Sequence, residues 1–359
     1  MDSYNFTKDE NGNPLISECQ KNNFVDYYFS PESMSLFERL YSTEPGSLQD
    51  KFVAYWVKVA NRFANNSYVV GYDPLNEPFP SNIYTEPQYF YAPGSFDKAV
   101  LQPLYKRIFE TAYQPANPSK IMFYEPAQIP DTIFPVGFEG TPAGANYAQV
   151  QLMNDHSYGP CALLDNSSET LDEVCDAFHQ VKVGMRANDA KKAGVPLIFS
   201  EFGACMGGDT CIVEINGLLD ATDANLASWA YWQYKKLGDL TTTAGTGSEG
   251  FYNDDGTLQD GKVAALARPY LPYTQGTLQS VNYNKITKVL NATFTLDTSV
   301  NAPTVVYFNQ EYTYTSGINV RLLSSTGSAL LEGADFSVDR ESEGVNHWRV
   351  QVTNKAFHG

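Results

Sequence analysis

No apolar run in this sequence approaches the roughly 20 residues that a bilayer-spanning helix needs. The opening residues, MDSYNFTKDENGNPLISECQ, contain neither the basic nor the apolar region of a secretory leader. Basic residues are scarce as well. Lys and Arg number 24 against 41 Asp and Glu, a net charge of −17. No basic cluster interrupts that acidity, so nucleic acid is disfavoured as a partner by phosphate repulsion, and none is expected. Histidines number only 4, and their spacings and those of the cysteines match no common zinc pattern. Of the 5 cysteines, Cys161 with Cys175 and Cys205 with Cys211 lie close enough in sequence to close short loops, leaving Cys19 unpaired. Two disulfides are the expectation, with a metal site as the competing use.

What is present is globular. The chain is 43% hydrophobic and 14% aromatic, far from the composition of disorder. Its 359 residues allow one large domain with a small one, or a single elaborated barrel. Ser30 and Pro31 read as the N-cap and first position of a short helix. The next helix shows one apolar face through Phe52, Tyr55, Trp56, Val59 and Phe63. Short apolar strands then alternate with helical stretches. YVVGY, KIMFY, AQVQLMNDHSY, VPLIFSEFG and LASWAYWQYK are the strands, and EINGLLDATDAN holds a short helix. That alternation predicts parallel βα units, and the polar residues at the strand ends predict a (β/α)8 TIM barrel with its site at the C-terminal rim. From about residue 273 the texture becomes β-branched and alternating, which predicts a C-terminal antiparallel β-sandwich. The expected division is 1–272 for the barrel and 273–359 for the sandwich. Five βα units are visible where a closed barrel has eight. The visible strands are therefore expected to be the fourth to eighth of an incomplete barrel, and a fragment of a longer protein is expected.

Two glutamates share one placement. Glu77 ends GYDPLNEP and Glu201 ends PLIFSEF, each after an apolar strand. Either alone would serve as a helix cap or an ion-pair partner. Two across a barrel mouth are what glycosidic bond cleavage requires, one donating a proton and the other ionised. Asn76 stands beside Glu77, His156 and Tyr158 end the intervening strand, and Trp232 ends the last one with a flat face for a sugar ring.

Together Asn76-Glu77-Pro78, His156-x-Tyr158, Glu201-Phe202-Gly203 and Trp232 resemble the strand-end signature of family 5 glycoside hydrolases. Within it, GYDPLNEPFP, IMFYEP, PLIFSEFGA, SWAYWQYK and the ARPY junction are most similar to the endoglycoceramidase branch, from about Lys51 onward. The resemblance implies Glu77 as general acid/base and Glu201 as nucleophile, with Glu125 at a further family position. It implies Asn76 and His156 as sugar-binding groups, Tyr158 as a hydrogen-bond donor to Glu201, and Trp232 as a stacking floor. It also implies cleavage between glycan and ceramide in glycosphingolipids without a metal or organic cofactor. The family begins with three βα units that this sequence does not show.

A monomer is expected, with contact to micelles or a membrane periphery inferred from the family alone. Four Asn-x-Ser/Thr patterns, at Asn5, Asn65, Asn166 and Asn291, accord with a secreted or endosomal/lysosomal protein. The aromatic loop after Glu77, with Phe79, Tyr84, Phe90 and Tyr91, either receives a lipid or packs on the barrel rim. Other readings are an endo-β-glucanase or mannanase, and a catalytically dead carbohydrate- or lipid-binding fragment.

Overall fold

The computed structural model describes residues 2–22, 24–129, 133–162, 169–205, 207–235, 249–297, 299–341 and 344–357. Asn166 falls outside these. Ahead of the sheet stand α1 (Pro31–Tyr41) and α2 (Leu48–Phe63). Ser30 caps α1 as expected, accepting the Ser33 N–H with Pro31 at the first turn. In α2 the buried positions are Gln49, Val53 and Ala60, whereas Tyr55 is exposed. The face read from the sequence holds at Phe52, Trp56, Val59 and Phe63, which pack against the core, and fails only at Tyr55.

Five strands form one all-parallel sheet in chain order: β1 (Gly71–Tyr72), β2 (Ile121–Tyr124), β3 (Gln151–Ser157), β4 (Leu197–Phe202) and β5 (Ser228–Trp229). Parallel neighbours need a crossover, and helices supply it. They are α3 (Gln102–Ile108) between β1 and β2, α4 (Glu169–Ala193) between β3 and β4, and α5 (Gly208–Asn225) between β4 and β5. This is a TIM-barrel-like arrangement. The two outer strands are shorter than the sequence predicts. Tyr68 and Val70 are exposed rather than buried, and of LASWAYWQYK only two residues join the sheet as a strand, with Trp232 adding a single bridge to Gly203. Among the described residues each outer strand pairs on one side only, so half of its backbone groups gain nothing from continuing. The helix expected to be short is instead the 18 residues of α5, entered through Gly207 at positive φ. Disulfides join Cys161 to Cys175 and Cys205 to Cys211, while Cys19 is free.

After α6 (Asp260–Leu266) the chain turns antiparallel. β6 (Tyr270–Tyr273), β9 (Thr304–Tyr307), β10 (Phe336–Asp339) and β11 (His347–Val352) form one sheet in the order β10-β11-β9-β6. β7 (Gly276–Asn284) pairs with β8 (Val289–Leu296) in a second.

The helix α4 positions the site. Its face toward β3 is polar: Cys175, His179, Lys182, Arg186 and Asp189 recur at helical spacing, and all are buried. Lys182 donates to the His156 carbonyl and lies 3.5 Å from Asp155, and the Arg186 Nε donates to Asp155 at 2.5 Å. Burial works to raise the Asp155 pKa, but Lys182 and Arg186 outweigh it and hold the carboxyl below its usual range. Asp155→Asn is therefore expected to cost about 3–5 kcal/mol, because it takes a carboxylate from two buried cations and leaves Arg186 its longer pairing with Asp189 at 3.3 Å. Chemical denaturation at neutral pH measures this. A carboxyl with a depressed folded pKa stabilises above its unfolded value, about 3.9, and that contribution is lost as pH falls through the folded value. The gap between parent and variant should accordingly close in acid.

Candidate active site

Side chains on β3 alternate between the two faces of the sheet. Asn154 and His156 face the site, and Asp155 and Ser157 face the helices. Asn154 donates to Asp73 at 2.8 Å and to Glu125 at 3.2 Å. Beneath Glu77, the carboxyl of Glu125 is 2% exposed and accepts the Glu77 N–H at 2.9 Å. Burial first, then the neighbouring Asp73, pushes Glu125 well above the ordinary carboxylate range. The Glu77 backbone needs such support. Its φ of +44° lies in the left-handed region, which is uncommon for residues other than glycine.

His156 is the hub. Its Nδ1 lies 2.9 Å from Glu77 Oε1 and 3.4 Å from Glu201 Oε2. Its Nε2 lies 3.1 Å from Ser200 Oγ and 3.4 Å from Glu125 Oε1. A bulge makes this possible. Asp155 pairs with Phe199, but His156 pairs with Glu201, so Ser200 is an extra residue on β4. With two residues opposite one, Ser200 and Glu201 both turn toward His156.

The Tyr158 hydroxyl donates to Glu201 Oε2 at 2.9 Å. Burial and the adjacent Glu201 charge raise its pKa, which keeps it a donor. Glu201 itself is raised, chiefly by burial and less by Glu77 and Asp73, against the opposite pull of His156 and Tyr158. One ring nitrogen of His156 and one carboxylate oxygen from each of Glu77 and Glu201 lie within 4.8 Å of one another. After Glu201 the chain turns sharply through Gly203, at φ +94°, where a Cβ would sit 2.2 Å from the Tyr231 ring. No other residue fits there.

Of the six site residues predicted from sequence, the structure gathers Glu77, His156, Tyr158 and Glu201 into one hydrogen-bonded group. Asn76 is exposed next to Glu77, and no hydrogen bond holds its amide among the described residues. Trp232 is 37% exposed and held through its backbone, with Trp232 N donating to Phe202 O and Ala204 N donating to Trp232 O. A cavity of about 90 Å³ is bounded by Glu77, Glu125, Gln128, His156 and Tyr158. Sequence reasoning missed Asp73, Asn154 and Ser200. Asp73 and Asn154 had an available signal, the first as a carboxylate at the exit of an apolar strand and the second as the residue two before His156, on the same face.

The profile of the cellulase family, glycosyl hydrolase family 5, matches residues 33–238, more than half of the chain. The chain belongs to glycosyl hydrolase family 5. The family 5 C-terminal domain matches residues 268–355. A curated endoglycoceramidase from Cyanea nozakii is 25% identical over 314 residues, covering 87% of this chain and 58% of that protein. One from Hydra vulgaris is 26% identical over 307 residues, covering 85% and 54%. The chain thus spans a little over half the length of these family 5 relatives. Among solved structures, endo-glycoceramidase II from Rhodococcus sp. superposes with a TM-score of 0.67 at 21% identity, over 91% of this chain and 66% of that one. Its complex with ganglioside GM3 gives 0.68 at 22%, over 92% and 67%. At such identities the likeness is one of fold. A sterylglucosidase from Cryptococcus neoformans reaches 0.60 at 11%, over 91% and 70%.

Proposed function

We propose that this chain carries the acid/base and nucleophile of a retaining β-glycosidase that cleaves the bond between glycan and ceramide in glycosphingolipids. The observation that carries the reading is the proximity of the Glu77 and Glu201 carboxylates, within 4.8 Å at their nearest oxygens. Retaining enzymes hold their carboxyls about 5–5.5 Å apart, whereas inverting ones leave room for a water at about 6.5–9.5 Å. In the proposed reaction Glu201 attacks the anomeric carbon while Glu77 protonates the oxygen that leaves with ceramide. Glu77 then takes a proton from water, which attacks the same carbon and frees Glu201. Two displacements return the original β configuration. Asn76 and His156 bind sugar hydroxyls and Trp232 stacks on a ring in this reading, and no cofactor is required. The five-stranded sheet is taken as part of a (β/α)8 barrel that precedes a β-sandwich.

The ceramide side rests on the likeness to endoglycoceramidases and on the loop after Glu77. That loop divides. Phe79 is buried against Tyr28, Phe29, Phe37 and Phe90, while Tyr84 and Tyr91 are exposed at its surface. A secreted or endosomal/lysosomal setting is supported by the two disulfides and by exposed acceptor asparagines Asn5, Asn65 and Asn291.

Incubation with lactosylceramide in detergent micelles, alongside a soluble β-glucan, tests the assignment. Release of free lactose, first as its β anomer by proton NMR, is the expected result. Cleavage of the glucan alone would sink the lipid reading, and binding of lactosylceramide without cleavage would favour a binding protein.

A further inference from the structure

A second polar group lies behind β3, on the helix side. Ser157, His179 and Glu214 are each fully buried. Ser157 Oγ shares a hydrogen bond with His179 Nδ1 at 3.0 Å, and His179 Nε2 lies 3.0 Å from Glu214 Oε1. The same oxygen accepts the Gly159 N–H at 2.5 Å. A Ser–His–Glu row suggests a nucleophile, but none of its members has any exposed surface for a substrate to reach. Its attachment points suggest something else. They are the two neighbours of Tyr158, one held through its side chain and the other through its backbone.

We propose that the His179–Glu214 pair is a positioning device for Tyr158, holding the Ser157 side chain on one side and the Gly159 backbone N–H on the other so that the Tyr158 hydroxyl stays on Glu201. Three further observations accord with this. Gly159 has no space for a side chain, since a Cβ would lie 2.6 Å from Glu214 Oε2 and 2.8 Å from His179 Nε2. Opposite, Gly217 of α5 admits the His179 ring, with its virtual Cβ 3.2 Å from Cδ2. Cys161 and Cys175 bond the same strand exit to α4, one turn before His179. Burying an ionisable pair costs several kcal/mol against an apolar filling. Here the expense falls where two helices and a strand exit must hold one phenol in register.

The device takes its functional meaning from the reading of Glu201 as an ionised nucleophile, but its test does not require turnover. With glutamate labelled with ¹³C at the side-chain carboxyl, the Glu201 signal is assigned as the one lost in Glu201→Gln and titrated by NMR. Groups facing Glu201 are Tyr158, His156, Glu77 and Asp73. On the far side, Asp176 of α4 interacts with His179 and with Asp172, Asp220 and Lys285. Tyr158→Phe removes a donor to the carboxylate and should raise the Glu201 midpoint, by about half to one pH unit. Glu214→Leu should raise it by a similar amount, and the double variant should move it no further than Tyr158→Phe alone. Loss of a negative charge acting through space has the opposite sign, so the direction separates the two effects. An unmoved or lowered midpoint in folded Glu214→Leu, or an additive shift in the double variant, would overturn the proposal. Should Glu214→Leu not fold, Gly159→Ala forces the same separation from the other side and carries the same outcomes. Absence of lactosylceramide cleavage would remove the proposed function and leave this result standing.

Discussion

Glu201→Gln is expected to abolish turnover of lactosylceramide, with kcat reduced on the order of 10⁴-fold or more. The amide preserves the shape of the carboxyl but has no charge with which to form the glycosyl–enzyme bond. No neighbour can substitute. Glu77 is tied to His156 and to Glu125 from the other side of the site, and Glu125 is buried with its pKa pushed up. Both kcat and kcat/KM should therefore fall together, while lactosylceramide still binds. The parent should also lose activity in acid sooner than an ordinary carboxylate would dictate. Burial raises Glu201, and only its ionised form attacks, so activity disappears as pH falls through that raised value. Steady-state rates across pH, with circular dichroism to show that the fold persists, measure both effects. Retention of parental activity in Glu201→Gln would remove the proposed nucleophile.

Glu77→Gln should behave differently, and the contrast is more informative than either loss alone. On lactosylceramide the expected drop is about 10²–10⁴-fold, the usual worth of a positioned proton donor. With a 2,4-dinitrophenyl glycoside the first displacement should run near the parental rate, since that leaving group departs without a proton. Deglycosylation still needs a base to activate water, so the intermediate should accumulate and appear as a burst of phenolate. Equal losses on the two substrates would mean that Glu77 acts by position or charge rather than by proton transfer.

How much of this was legible beforehand depends on the period of each signal. Glu77 and Glu201 follow apolar runs that end abruptly, and that boundary is visible one residue at a time. His156 and Tyr158 are two apart, the period that sets side chains on one face of a strand, and both reach the site carboxylates. The outer strands were overread, because apolar composition does not reveal that a strand pairs on one side only. Most opaque was α4. Its buried stripe of His179, Lys182, Arg186 and Asp189 reads in sequence as a solvated helix face, since partners such as Asp155 and Ser157 lie elsewhere in the chain. Likewise Ser200 gives no local hint of a bulge. Only the register against β3 exposes it.

That extra residue makes β4 a strand with two phases. Phe199 and Phe202 are separated by an odd number of steps, yet both bury completely in the core. In an unbroken strand they would face opposite ways. The slip at Ser200 lets one short segment satisfy the core before and after the site while turning two consecutive side chains to His156. Its consequence is that the extra residue serves His156 and not the phase of its neighbours. Removing Ser200 would restore unbroken alternation, with Phe199 and Phe202 on one face and Glu201 between them on the other, and would cost only the hydroxyl that meets His156 Nε2. The bulge therefore adds a hydroxyl for the ring that touches Glu77 and Glu201, without moving either carboxylate out of phase.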